Sequence, residues 1–277
     1  MATAGEAWSA AFASAGGEAA RVYDDCMVPQ LFEPWARLLL DRTGVGPGDV
    51  LLDVACGPGT VARLAAGLIG PGGRVTGCDV SPAMLAVARS KPGGDGAPVE
   101  YVECPADALA VPTAAYDVVT CQQGLQFFSD RQRALREMHL ALRPGGRLGI
   151  AVWSGIEQNP PFAALAEAIA EVIGEEAAAR YRNGPWGLGH HDVAAMVRQA
   201  GFADIETHLP RLPVVFEGGP EHLLRTLAAT AVAADVAALG EAGRRTLAAA
   251  IEKTAAPLVE DGAVRSETAA QLVIATA

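Results

Sequence analysis

Four acidic or carboxamide residues stand at or beside the ends of short apolar runs in this chain. Asp53 lies within residues 50–54, Asp79 directly follows 74–78, Asp107 comes a few residues after 99–103, and Gln122 follows 116–121. Between Asp53 and the first residue of a helical pattern the chain reads Ala55-Cys56-Gly57-Pro58-Gly59-Thr60. Glycines in such a turn allow positive φ and let backbone amides approach a ligand where a Cβ would clash. An acid about 20 residues beyond a glycine loop can accept hydrogen bonds from both ribose hydroxyls of an adenosine. Asp107 could receive an adenine amino group. The chemistry implied is that of a nucleoside cofactor. The loop alone leaves other readings open, because Gly57 to Ala62 also fits the dinucleotide pattern G-x-G-x-x-G/A, and a plain strand-to-helix turn looks the same.

These residues need strands and helices in alternation to hold them on one edge. The continuous apolar run 50–54 reads as a strand buried on both faces, and 61–68 as an Ala- and Leu-rich helix. Strands follow at 74–78, 99–103, 116–121 and 147–153. Ser81 and Pro82 open one intervening helix as N-cap and first helical residue. Another helix covers 131–142, ahead of the turn Arg143-Pro144-Gly145-Gly146. This spacing predicts a parallel sheet with a ligand across its carboxyl edge.

In LLDVACGPGT (51–60), GCDVSPAML (77–85), the Asp107 segment, YDVVTCQQGLQFF (116–128) and LRPGGRL (142–148), the chain resembles the class I S-adenosylmethionine-dependent methyltransferases. The likeness is to the branch that includes quinone-biosynthesis and bacterial natural-product enzymes. It implies an α/β, Rossmann-like, seven-stranded, mostly parallel sheet with helices on both faces and a helical substrate cap. It implies S-adenosyl-L-methionine as cofactor and methylation of a small molecule on oxygen or carbon. Carried over by position, the cofactor residues are Asp53, Ala55, Gly57, Gly59, Thr60, Asp79, Val80, Met84, Asp107, Ala108 and Gln122. Ala55 departs from the family, standing where the first glycine of D-x-G-x-G belongs. The alternatives are a nicotinamide oxidoreductase, although no Tyr in this chain is followed four residues later by Lys, so the short-chain dehydrogenase dyad is missing, and a non-methylating cofactor-binding relative.

The remaining segments read as the cap. Residues 1–43 supply N-terminal helices (18–27 and 31–41), 44–153 the cofactor core, and 154–277 the rest of the sheet with helical insertions. Helices are expected at 160–181, 190–200, 220–239 and 241–258, a bent strand at 205–215 and a last strand at 269–276. Candidate substrate residues are Tyr23, Gln122, Gln126 and Trp153. For proton handling the candidates are Tyr23, as a hydrogen-bonding positioner, and His191, with His190 and His208 weighed beside them. Asn159-Pro160-Pro161-Phe162 copies a signature of amino-group methyltransferases, but it lies beyond the fifth strand rather than the fourth, so a proline-initiated helix explains it.

The sequence has 277 residues and a net charge of −11, which opposes a phosphate backbone and disfavours nucleic-acid substrates. Its five cysteines include no C-x-x-C pair. They read as free thiols of a reducing compartment, with no metal site expected although four sit near strand ends. No apolar run reaches membrane-spanning length and no basic residue precedes Arg21, so a cytoplasmic protein without membrane contact is expected. A homodimer is left open.

Overall fold

Every residue of β1 (Val50–Val54) is buried, as an unbroken apolar run requires of a strand covered on both faces. A computed structural model describes residues 16–92, 94–186, 188 and 191–277. Beside β1 lie β2 (Arg74–Asp79), β3 (Val99–Glu103), β4 (Tyr116–Gln122) and β5 (Leu142–Trp153), all parallel. The order through the sheet is β3-β2-β1-β4-β5-β9-β6, where β6 is Ala203–His208 and β9 is Ala263–Thr276. The direction of strand addition reverses between β1 and β4, which opens a crevice outside their carboxyl ends. The register Leu52↔Val119 and Asp53↔Thr120 places the two strand ends level there.

Two further strands make nine where seven were expected. β7 (Arg211–Phe216) and β8 (Val259–Glu260) both pair with the first half of β9, while β5 and β6 pair with its second half. The bent strand expected at 205–215 is thus two strands, divided at Leu209-Pro210. Pro213 sits in β7, which pairs on one side only, so its missing N–H costs no ladder bond. The last strand begins six residues earlier than the alternation of 269–276 indicated.

The helices, in chain order, are α1 (Gly17–Cys26), α2 (Glu33–Thr43), α3 (Thr60–Ile69), α4 (Pro82–Ser90), α5 (Arg131–Ala141), α6 (Pro160–Val172), α7 (Glu175–Asn183), α8 (Val193–Gln199), α9 (Gly219–Thr226), α10 (Ala233–Ala238) and α11 (Gly240–Ala255). A π-helical turn, Val28–Phe32, joins α1 to α2. The helix expected across 160–181 is broken at Gly174, whose φ of 125° no helix accommodates. The long helix expected at 220–239 is likewise split into α9, a 3-10 turn and α10. One apolar cluster fills the space under the cap. It joins Met27, Phe32 and Trp35 to Trp153, Phe162, Tyr181, Trp186 and Phe216. No helix among the described residues is long and apolar enough to cross a membrane.

Candidate functional site

The crevice at the carboxyl ends of β1 to β4 is a cleft of ≈ 860 Å³, counted with the solvent at its mouth. Tyr23, Ala55, Gly57, Asp79, Val80, Met84, Asp107 and Gln122 are among the residues that line it. Asp53 and Thr60 line a smaller adjoining cavity of ≈ 340 Å³ under the glycine loop, shared with Ala55, Gly57, Gln122 and Tyr23. Gly59 and Ala108 line neither. At Gly59, φ is 77° and a Cβ would come within 2.3 Å of the Tyr101 hydroxyl, so this glycine serves the turn and its packing.

Local backbone chemistry explains the arrangement of the acids. Gly57, at φ 52°, turns its N–H onto Asp79 Oδ2 at 2.8 Å, and Ser81 N–H donates to Asp79 Oδ1 at 2.9 Å. Burial nevertheless pushes the Asp79 carboxyl above its usual range. Asp53, 1% exposed, accepts from Thr120 Oγ1 at 2.9 Å, while its Oδ2 has no hydrogen-bond partner among the described residues. Burial raises its pKa to about 7. Ala55 holds φ 57°, the left-handed conformation that a glycine in its place would take freely.

Val80 is 38% exposed although apolar, and with buried Met84 it forms one wall of the cleft. Asp107 also lines the cleft and accepts a hydrogen bond from Ser129 Oγ at 3.5 Å. Gln122 donates from Nε2 to Phe32 O at 2.9 Å, which ties the end of β4 to the π-helical turn and leaves Oε1 without a partner among the described residues.

Beyond Tyr23, Gln123 and Phe127 the cleft continues into a second chamber of ≈ 470 Å³. Phe32, Trp153, Phe162 and Trp186 wall it, with ring centroids of neighbouring pairs 4.9–6.1 Å apart. Gln126 and Trp153, two of the candidate substrate residues, both line it. Tyr23 stacks on Phe32, with centroids 4.9 Å apart, and faces all three cavities. Burial first, then Asp79 and Asp24, hold its phenol proton more tightly than usual.

Of the histidine candidates, His191 is the one placed at the start of a helix. It is exposed and lines none of the three cavities, because it lies just ahead of Asp192, whose side chain caps α8 through Ala195 N–H. His190 lies outside the described residues. His208 sits on β6 with Glu206 at 3.5 Å, away from the cavities. Asn159 is fully buried and structural, accepting from Ala269 N–H at 2.9 Å and donating to Ser154 and Gly155 carbonyls.

All five cysteines are buried and free, and no group of three or more His, Cys, Asp or Glu among the described residues could hold a metal ion. Cys104 lines the cleft, and a hydrogen bond with Cys78 lowers its pKa to about 7. Sequence reasoning missed Gln123, Phe127, Phe162, Tyr181 and Trp186. Only Gln123, beside Gln122, carried any local signal.

A methyltransferase domain model matches residues 52–150. The ubiquinone/menaquinone biosynthesis C-methyltransferase UbiE of Cronobacter sakazakii is 31% identical over 201 residues, covering 66% of this chain and 78% of that one. The chain belongs to the class I S-adenosylmethionine-dependent methyltransferases. The UbiE of Hahella chejuensis is 37% identical over 133 residues, covering 47% of this methyltransferase and 53% of the relative. The matched region thus spans about half the length of that relative. A putative methyltransferase from Bacillus halodurans shares the fold with a TM-score of 0.56 at 21% identity, covering 87% of this chain and 97% of its own.

Proposed function

We propose that this methyltransferase binds S-adenosyl-L-methionine in the cleft and methylates a small molecule held in the aromatic chamber. One observation carries the cofactor reading: two carboxyl groups, buried Asp53 and partly buried Asp79, face these cavities without a cation partner among the described residues. A ligand with a sulfonium and an ammonium group supplies the missing positive charge. A nicotinamide dinucleotide would instead bring its pyrophosphate beside two acids, at a glycine loop whose Gly57 N–H is already given to Asp79.

When bound, the cofactor supplies a methyl group already activated on sulfur. What remains for the protein is to bind, orient and exclude water. Asp79 would take the ribose, Val80 and Met84 the faces of the adenine, and Asp107 with Ala108 its edge. Gly57, Ala55, Thr60, Asp53 and Gln122 would surround the methionine end. Tyr23 would donate a hydrogen bond where cleft and chamber meet. Among the described residues, no histidine, lysine or carboxylate lines the chamber, which favours an acceptor that carries its own nucleophilicity.

The curated relatives carry a C-methyltransferase name, which makes an electron-rich carbon the first acceptor to try, with phenolic oxygen next. With five free cysteines the protein suits a reducing cytoplasm. Calorimetry with S-adenosylmethionine, S-adenosylhomocysteine and NAD is the test, followed by labelled-methyl transfer to a panel of phenols, quinols and indoles. Binding of NAD without the sulfonium cofactor would overturn the reading. Asp79→Ala should weaken cofactor binding on the order of 10- to 100-fold, the range for losing hydrogen bonds to a charged group.

A further inference from the structure

We infer that Cys104 and Cys78 are a modification site: a thiol pair in the wall of the cleft that a peroxide oxidises to a disulfide and that bound cofactor shields. Only the shielding rests on the methyltransferase reading above. Cys104 lines the cleft together with Asp79, Val80 and Asp107, the residues proposed to hold the nucleoside. Cys78 lies one residue before Asp79 on β2 and is 1% exposed. The parallel register ends at Asp79↔Glu103, and the Cys104 N–H then donates to the Asp79 carbonyl at 3.2 Å. Cys104 is thereby anchored at the end of β3 beside β2, and its sulfur shares a hydrogen bond with that of Cys78.

The two thiols are unequal. Cys78 donates to Cys104 and the Ala110 N–H adds a second donor, which outweighs burial and Asp79 and lowers the Cys104 pKa to about 7. About half of Cys104 is then thiolate at pH 7, and the thiolate is the nucleophile. Donating to Cys104 pushes Cys78 up, and burial does the same to Cys56 and Cys121. Cys56 Sγ faces the Gly57 carbonyl at 3.7 Å and lines the smaller cavity, not the cleft.

The order of events follows. The Cys104 thiolate attacks one peroxide oxygen; the S–O bond forms, the O–O bond breaks, and the departing hydroxide takes a proton from solvent to become water. The Cys78 sulfur then attacks the sulfenic sulfur; the S–S bond forms, the S–O bond breaks, and the oxygen leaves as a second water carrying the Cys78 proton. The two sulfurs lose two electrons in all, and the peroxide gains them. The disulfide draws the start of the Asp107 segment toward β2, on the side of the cleft proposed for the nucleoside.

The test is peptide mass spectrometry of the full chain, without ligand, after hydrogen peroxide at pH 7. The Cys78-to-Cys104 disulfide should be the main product, and dithiothreitol should restore both thiols. By calorimetry, oxidation should weaken S-adenosylhomocysteine binding at least about 10-fold, reversibly. S-adenosylhomocysteine at about ten times its Kd should slow the oxidation about 10-fold by mass action. Cys104→Ser should bind S-adenosylhomocysteine within about 3-fold of the parent and keep that affinity through peroxide treatment. Cys78→Ala should stop at a Cys104 sulfenic acid that dimedone traps. Oxidation that spares Cys104 or joins it to Cys56, a rate indifferent to S-adenosylhomocysteine, or an affinity that survives formation of the disulfide overturns the inference. Failure of S-adenosylhomocysteine to bind the reduced protein strikes the methyltransferase reading instead, while the peptide assay still decides the thiol pair.

Discussion

Asp53 concentrates the residue-scale physics of the site. Its neutral form is favoured in the folded protein, with a pKa near 7 against 3.8 for the free group, and burial is the main cause. The folded state therefore bears no penalty from Asp53 below about pH 4, a growing one between pH 4 and 7, and the full one above. Asp53→Asn keeps an acceptor for Thr120 and should flatten that slope. In urea melts of ligand-free protein the variant should gain up to about 4 kcal/mol at pH 8 and nothing at pH 4. A cation in the cleft acts oppositely, stabilising the ionised form. Binding of S-adenosylmethionine at pH 7 should release protons, more than S-adenosylhomocysteine does, as read by calorimetry in buffers of different ionisation enthalpy. Ala55 is a second residue-scale device. Its methyl occupies the space beside Gly124, where an added Cβ would lie 2.7 Å away. Gly124→Ala should cost about 1–3 kcal/mol, and adding Ala55→Gly should recover part of it, as a double-mutant cycle on stability would show.

At the scale of elements, the question is what holds α1 over the cleft. Asp24 on α1, 6% exposed, pairs with Lys91 just past the end of α4, and Tyr23 beside it reaches the cavities. Lys91→Ala leaves a buried carboxylate unpaired. Because Lys91 is a third exposed, the expected loss is about 1–3 kcal/mol, below that for a fully buried pair. Thermal melts at pH 7 check this, and loss of stability should be accompanied by weaker cofactor binding. The π-helical turn after α1 carries Phe32, whose ring stacks on Tyr23 and whose carbonyl accepts from Gln122. Alternating strands and helices between residues 50 and 153 were legible because each buries a regular face. The cap helices were legible only in outline. Their Ala-rich stretches carry helix propensity without the punctuation that divides them, and Gly174 alone marked the break between α6 and α7.

For the whole molecule, β9 is the strand on which the cap and the core meet. Its second half completes the core sheet against β5 and β6, and its first half carries β7 and β8. Asn159 clamps this junction by bonding the Ala269 N–H and the carbonyls after β5. Asn159→Ala should cost about 2–4 kcal/mol, since several buried backbone groups lose their partner at once, and chemical denaturation should show it. Trp35 adds a second tie through its indole N–H to Thr268 Oγ1 at 3.0 Å.

The sequence by itself determined where the residues of the proposed cofactor half lie: the glycine loop, Asp53, Asp79, Asp107 and Gln122 are local to strand ends, and strand ends in a parallel sheet converge on one edge. Only the tertiary structure decided the acceptor half. Phe32 lies more than a hundred residues before Trp153, Phe162 and Trp186 in the chain, and their meeting depends on where the cap packs. The same holds for His191, whose exposed place just ahead of α8, outside the three cavities described, could not be read from residue type. Positive φ at Gln123 was equally unreadable, because side-chain identity argues against it, whereas at Ala55 the glycine of the D-x-G-x-G pattern pointed to it.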